Sequence, residues 1–289
     1  MAVARRGGFA AAAAELNLSP SAVSHAVRTV EDRLGVPVFA RTTRSVHLTE
    51  AGAAFVAALG PAFSDIAEAM EHARSTRDNP AGLLRINTSH VAIRMVLTEI
   101  VTEMALAHPN VTVELFADDS LTDIVAEGFD AGVRLGEMIS QDMVAVRLTP
   151  PFQAIMAASP DYLARHETPQ TIADLSDHAC VGFRLPGSGG LYRWDLVDAG
   201  EPVEVDVSGP LILSDASQAV ETALADIGIV YVFEPLVRDL LADGRLVQVL
   251  PEASCDEPGL FLYFPQRATQ APKLRAFVDI ARRVCARRS

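Results

Sequence analysis

The segment Ser19–Gly35, SPSAVSHAVRTVEDRLG, constrains this chain more than any other stretch. Serine at the first position can accept a free N–H of a helix start, and Pro20 sits where a helix loses nothing by its missing N–H. Val23, Val27, Val30 and Leu34 recur at spacings of 4, 3 and 4, one apolar stripe on a helix. Gly35 supplies the residue type that ends one. Away from the stripe, Ser21, Ser24, His25 and Arg28 stand at i, i+3, i+4 and i+7 and share one face. Ser19 and Ala22 lie at the same end. A chain of net charge −13 would ordinarily solvate such a face with carboxylates. Hydroxyls and a guanidinium are instead partners for bases and phosphates.

The neighbouring residues extend this reading. FAAAAAEL, Phe9–Leu16, is helix-forming, and NLS makes the turn into the second helix, the order of a helix-turn-helix reader. Downstream, Val38-Phe39 and Val46-His47-Leu48 read as two short strands. The turn between them presents Arg41, Thr42, Thr43 and Arg44, a basic wing suited to phosphate or the minor groove. Charge follows the same division. Residues 1–50 hold six arginines against four acids, net +2; residues 51–82 hold two arginines against four acids, net −2; the remainder is then −13. A mildly basic head on an acidic body points to a small, defined nucleic-acid contact, not to bulk coating.

The run from Ala2 to Gly52 resembles the winged helix-turn-helix of LysR-type transcriptional regulators. The residues that carry the likeness are the GxFxxAAxxL helix, the SxSAVSxxVxxxExxLG reader helix and the wing, where Val38-Phe39 replaces the usual Leu-Phe. The likeness implies an N-terminally short head, since family members carry further residues that complete a first helix. Apolar surface on Phe9, Leu16 and Val30 is then expected to lie uncovered. It also implies double-stranded promoter or operator DNA as a partner, with base reading by Ser21, Ser24, His25 and Arg28, phosphate or minor-groove contact by Arg41, Thr42 and Arg44, Ser19, Ala22 and Thr43 completing the DNA-binding set, and contact with RNA polymerase.

Thr49 can cap a helix starting at Glu50, the linker helix of residues 51–79, along which Phe55, Leu59, Phe63, Ile66, Met70 and Ala73 form a near-heptad seam. Pro61 interrupts its backbone bonding. A seam of this length wants a partner, and the family's linker helix implies a homodimer or homotetramer. STRDNPAG, Ser75–Gly82, is the clearest boundary in the chain. From Leu83 strands alternate with helices, the pattern of an α/β body with mostly parallel sheets. LTDIVAEG, Leu121–Gly128, reads as a short helix within it. The resemblance implies a two-lobed, periplasmic-binding-protein-like (type 2) effector domain, with residues 83–160 and 265–289 in lobe 1, 161–264 in lobe 2, and a small-molecule effector between them.

Ligands in open α/β sheets sit at the carboxyl ends of strands, beside helix N-termini that favour anions. The candidates are Thr88, Ser89, His90, Asp119, Ser120 and Arg134 in lobe 1, and Arg184, Trp194, Ser214 and Asp215 in lobe 2. The family's effector contact at the first strand's end falls on Ser89. Each has a structural alternative. Arg134 can brace its strand end, Ser214 and Asp215 can cap a helix, Trp194 can pack in a core, and His90 can stand beside a cap. Asp118-Asp119 can be a solvated turn or repel anionic effectors.

No catalytic motif organises the sequence: it contains no P-loop, GxSxG, HExxH or GxGxxG, and the seven histidines show no metal spacing. Gly187–Gly190 is glycine-rich but lies in a long loop. No cofactor, metal or catalytic residue is expected. Cys180, Cys255 and Cys285 are scattered and odd in number, which argues against a disulfide framework and fits a cytoplasmic chain. No segment reaches 18 uncharged apolar residues, and the Ala10–Ala14 run is too short for a signal-peptide core. A small hydrolase using His90 or Asp118, and a pure solute-binding protein, are the competing readings; the DNA-reading head weighs against both.

Overall fold

The structure, a computed structural model, describes residues 1–41, 46–74, 80–120, 122–139 and 142–288. Two compact units divide the chain: Met1–Ala73 with Val125–Gly128, and Arg74–Ile124 with Phe129–Ser289.

In the first unit α1 (Ala2–Arg6), α2 (Phe9–Glu15) and α3 (Pro20–Leu34) precede an antiparallel ribbon of β1 (Phe39–Arg41) and β2 (Val46–Leu48), and α4 (Glu50–Arg74) follows. Helix α3 begins and ends at its own signals. The Ser19 hydroxyl accepts the Ala22 N–H at 3.2 Å, and Gly35 turns left-handed at φ 71° and donates its N–H to Glu31 O. The small core gathers Val3, Ala12, Ala13, Val23, Val38 and Phe39. Val30 and Leu16 are exposed. Phe9 is not: its ring packs edge-on against Phe39 at 5.9 Å, so the ribbon covers it.

Two side chains lock the ribbon. One Glu31 oxygen accepts the N–H groups of Val38 and Phe39 at 2.8 and 3.0 Å, tying β1 to the last turns of α3. The Thr49 N–H reaches Val38 O at 3.0 Å, while its hydroxyl donates to Pro37 O and accepts the Gly52 N–H at 2.9 Å, capping α4. Gly52 rests on the Val38 carbonyl; a Cβ there would stand 2.0 Å from the oxygen. Only glycine fits.

The second unit runs β3 (Gly82–Thr88), α5 (His90–Ala92), a π-type turn Ile93–Leu97, α6 (Thr98–Ala107), β4 (Val111–Ala117), β5 (Ala131–Leu135), β6 (Met143–Arg147), β7 (Phe152–Ala158), α7 (Pro160–His166), β8 (Gly182–Phe183), β9 (Trp194–Asp198), β10 (Glu201–Val205), β11 (Ile212–Leu213), α8 (Ala219–Leu224), β12 (Val230–Phe233), α9 (Glu234–Ala242), β13 (Val247–Val249), β14 (Cys255–Glu257), β15 (Leu260–Pro265) and α10 (Pro272–Arg288). One sheet has the order β4-β3-β5-β15-β6, with β3 parallel to both neighbours and β15 antiparallel to both of its own. Its core includes Leu84, Ile86, Ile100, Met104, Leu262 and Phe277. The other centres on β7, with β12 along one edge and β13 then β14 along the other.

Three expectations change here. The second sheet is antiparallel about β7, not parallel. β7, expected in lobe 1, is the middle of the second sheet, and β15, expected in lobe 2, pairs inside the first. The chain therefore crosses between sheets at 148–152 and 257–260. Burial on both faces gives an uninterrupted apolar strand whichever way its neighbours run, so the letters carry no direction. Of the expected helix Leu121–Gly128, Leu121 lies outside the described residues, and 124–128 forms turns closed by Gly128 at φ 72°. The boundary residues 75–79 also lie outside them.

The two crossings are stitched together. Leu148 N–H donates to Leu260 O and Leu260 N–H to the Thr149 hydroxyl, both at 2.8 Å, and Arg147 Nη1 reaches Pro258 O at 2.5 Å. Gly259, at φ 95°, fits against the carbonyls of Thr149 and Pro150, where a Cβ would come within 2.8 Å.

Candidate functional site

Two surfaces stand out, one in each unit. On α3, Ser21, Ala22, His25 and Arg28 are exposed and Ser24 is half-buried. Ser19 and Ser21 share a hydrogen bond at 2.9 Å, so the cap also orients the first hydroxyl of the face. Arg41 ends β1, while Thr42, Thr43 and Arg44 lie outside the described residues.

In the second unit a cavity of about 320 Å³ opens between the two sheets. Its floor is Ser89 and Val91 after β3, and Arg134, Leu135 and Met138 at the end of β5. The facing wall comes from β8, β12 and the approach to β9: Phe183, Tyr192, Asp195, Tyr231 and Phe233, with Trp194, 1% exposed, packed in the core at its edge. Trp194 stacks on Tyr231 with centroids 5.6 Å apart, and Tyr192 stands 6.2 Å from Tyr231. The Tyr192 hydroxyl donates to the Asp195 carboxylate and the Tyr231 hydroxyl to the Asp195 backbone carbonyl at 2.7 Å. Burial, helped by Asp195 and Glu257, holds both phenols well above their usual range, so they stay neutral donors.

Of the residues singled out by sequence, Ser89, Asp119, Arg134 and Trp194 reach the cavity. Ser89 caps α5, its Oγ accepting the Ala92 N–H at 3.3 Å. Arg134 is 4% exposed and braces the strand end: its Nη atoms donate to Asn87 Oδ1 and the carbonyls of Val133, Asp118 and Ser120. Burial lowers its pKa against the pull of Tyr263, Asp119 and Asp118. Its Nε and Asn87 Nδ2 are buried without a partner.

The others stand elsewhere. Thr88 is buried beneath the strand end, and Ser120 pairs with Thr122 and the Asp118 carboxylate. Arg184 is exposed and folds onto Gly189 O at 2.7 Å; Ser214 is exposed. Asp215 accepts the Ser217 N–H at 2.8 Å, a capping role. Sequence reasoning missed Tyr192, Asp195, Tyr231 and Glu257. The first two flank Trp194, and Tyr231 alternates with Phe233 in IVYVF, a period-2 face that was legible; nothing in the sequence marked Glu257.

His90 bridges to Asp119 through its backbone N–H and Nδ1, both at 3.1 Å. Asp215 brings its carboxylate within 4.8 Å of both, from the other sheet's side. A cation would find suitable atoms there, but Asp119 is already engaged by His90 and Asp215 by its helix start. Arg94 Nη1 donates to Ser217 O at 2.6 Å along the same seam. Ser89 Oγ is directed to a backbone amide, so Ser89, His90 and Asp119 do not assemble a nucleophile and base.

Comparison with known proteins decides between the readings. The model described as "Bacterial regulatory helix-turn-helix protein, lysR family" matches residues 1–53, and that described as "LysR substrate binding domain" matches residues 77–286. The chain belongs to the LysR family. It is 42% identical over 278 residues to the uncharacterized HTH-type transcriptional regulator YcaN of Escherichia coli, covering 96% of this chain and 91% of that protein. It is 36% identical to the regulator PgrR of the same organism, covering 96% and 93%. The solved structure of CrgA, a LysR-type transcriptional regulator from Neisseria meningitidis, superposes with a TM-score of 0.64 at 27% identity over 98% of this chain and 96% of that one. This LysR-type chain is thus a DNA-binding transcriptional regulator with an effector-binding domain, and its relatives are regulators, not enzymes. Among the described residues no helix is long and apolar enough to cross a membrane.

Proposed function

We propose that α3 enters the major groove and reads bases with Ser21, Ala22, Ser24, His25 and Arg28, while Ser19 fixes the helix end and Arg41, Thr42, Thr43 and Arg44 hold phosphate or the minor groove. The supporting observation is an exposed helix face that carries hydroxyls, an imidazole and a guanidinium in a chain of net charge −13. Residues 1–50 form the reading head and 51–79 the linker helix. Phe63 and Ile66 on α4 are 53% and 57% exposed in the single chain, the seam by which two copies pair as a homodimer or as half of a homotetramer. The regulator works in the cytoplasm with RNA polymerase at its promoters.

The effector is a small molecule held in the cavity between the two sheets. It acts through its different affinity for two arrangements of those sheets, which both contact it.

Fluorescence anisotropy on DNA upstream of the chain's own gene, across a salt series, tests the head. Arg28→Ala should weaken specific binding by about 1–3 kcal/mol, and Arg238→Ala, whose side chain pairs with Glu234, should not. Equal effects would refute the reading face. Ala216→Phe, which fills the cavity from a half-exposed position, should fix a reporter's output at one level whatever the growth conditions. An unchanged response would refute the effector cavity.

A further inference from the structure

With the cavity between the two sheets taken as the effector site, the reading on which this inference rests, the state of its polar side chains names the class of ligand. Each of them already has a partner in the protein. Ser89 Oγ accepts the Ala92 N–H, and Asp119 pairs with both the backbone N–H and the ring of His90. Arg134 spends its Nη atoms on Asn87 and three backbone carbonyls, and its Nε is closed off from solvent. The Tyr192 hydroxyl donates to the Asp195 carboxylate and the Tyr231 hydroxyl to the Asp195 carbonyl. Glu257 is not free either. A charged head entering the cavity would leave water and meet groups whose bonds it must first break. Such an exchange gains little, and a charge buried without a partner is costly.

What the cavity offers unspent is apolar surface. Leu135 and Met138 supply it from the first sheet's side, and Phe183, Leu185, Leu213 and Phe233 from the facing side. None of these six is fully buried, and Met138 and Leu185 are 48% and 37% exposed. Water against these side chains finds few partners, so hydrocarbon that displaces it is favoured in proportion to the area covered. Because the apolar side chains come from both sides, a hydrocarbon body between them touches both. The volume of about 320 Å³ lies at the small end of ligand sites, roughly 300–1,000 Å³.

We propose that the effector is a small uncharged molecule made mainly of hydrocarbon, held by apolar contact with both walls of the cavity and without an ion pair.

The full chain is titrated by calorimetry with toluene, ethylbenzene and propylbenzene, and with phenethylamine and phenylacetate, which carry a cation and an anion on the same ring. Each methylene from toluene to propylbenzene should tighten binding about fourfold, and propylbenzene should bind at least tenfold more tightly than either charged probe. Ala216→Phe, which fills the cavity, should abolish propylbenzene binding, and Met138→Asn, at a half-exposed position, should weaken it at least threefold. Affinity that is flat along the series, or that survives unchanged in both variants, overturns the proposal. Tighter binding of phenethylamine or phenylacetate overturns the uncharged class and leaves the cavity as an effector site. Silence from all five probes also overturns it, and the Ala216→Phe reporter then judges the cavity separately.

Discussion

Substituting Gly52 by alanine sets two effects of opposite sign against each other. In a helix interior alanine is favoured over glycine by about 0.8–1.0 kcal/mol, so local propensity alone makes Gly52→Ala stabilising. The structure opposes this. The new Cβ would lie 2.0 Å from Val38 O and 2.8 Å from the carbonyl carbon, and contacts below 3.0 Å are essentially never seen, so helix and strand must part by at least 3.0 − 2.0 = 1.0 Å. The Thr49 N–H···Val38 O bond, at 3.0 Å, is lost in that movement. Overpacking costs about 1–3 kcal/mol. The broken bond costs a further ~0.5–1.5 kcal/mol. After subtracting the helix gain, the head should lose about 2 kcal/mol. Hydrogen exchange in the full-length protein reads this locally. Protection of the Thr49 amide and of the first turn of α4 should fall by about thirtyfold, which is 2 kcal/mol at tenfold per 1.4 kcal/mol. Specific DNA binding should weaken with it. Equal or greater protection in Gly52→Ala would show that propensity wins and that Gly52 does not set the distance between ribbon and helix.

Other substitutions probe the same head. Glu31→Ala leaves the part-buried N–H groups of Val38 and Phe39 without their acceptor and should cost about 2 kcal/mol in denaturant unfolding, whereas Glu31→Gln, which keeps an acceptor, should lose less than half of that. Glu15 has a carboxyl held below its ordinary 4.5, by the Arg6 hydrogen bond first and by Arg5. Its contribution is therefore present above pH 4.5 and disappears as pH falls through the lower folded value. The melting difference between wild type and Glu15→Gln, small because the pair faces solvent, should shrink to nothing on acidification; a difference that grows would reverse the assignment.

The head was legible because its signals are local. Ser19, Pro20 and Gly35 act within one turn of themselves, and the structure puts α3 between them. The wing's anchors, Glu31 and Gly52, were not read as such, since what they touch lies seven or more residues away. In the second unit the strands β3, β4, β5, β12 and β15 follow runs that stand out in the sequence, but their partners do not. The apolar run of β7 says that both faces are covered, not that β12, β13 and β14 all run against it. The β9–β10 hairpin turns on Ala199 and Gly200, both left-handed, and an alanine there is no turn signal. Of the candidate ligand residues, Ser89, Asp119, Arg134 and Trp194 line the cavity and the others do not, for a related reason. Strand ends such as Ser89 and Arg134 are where open sheets present side chains, while the opposing wall of a cavity comes from whichever elements fold over it. Asp195 and Glu257 reach the cavity from strands whose register could not be placed.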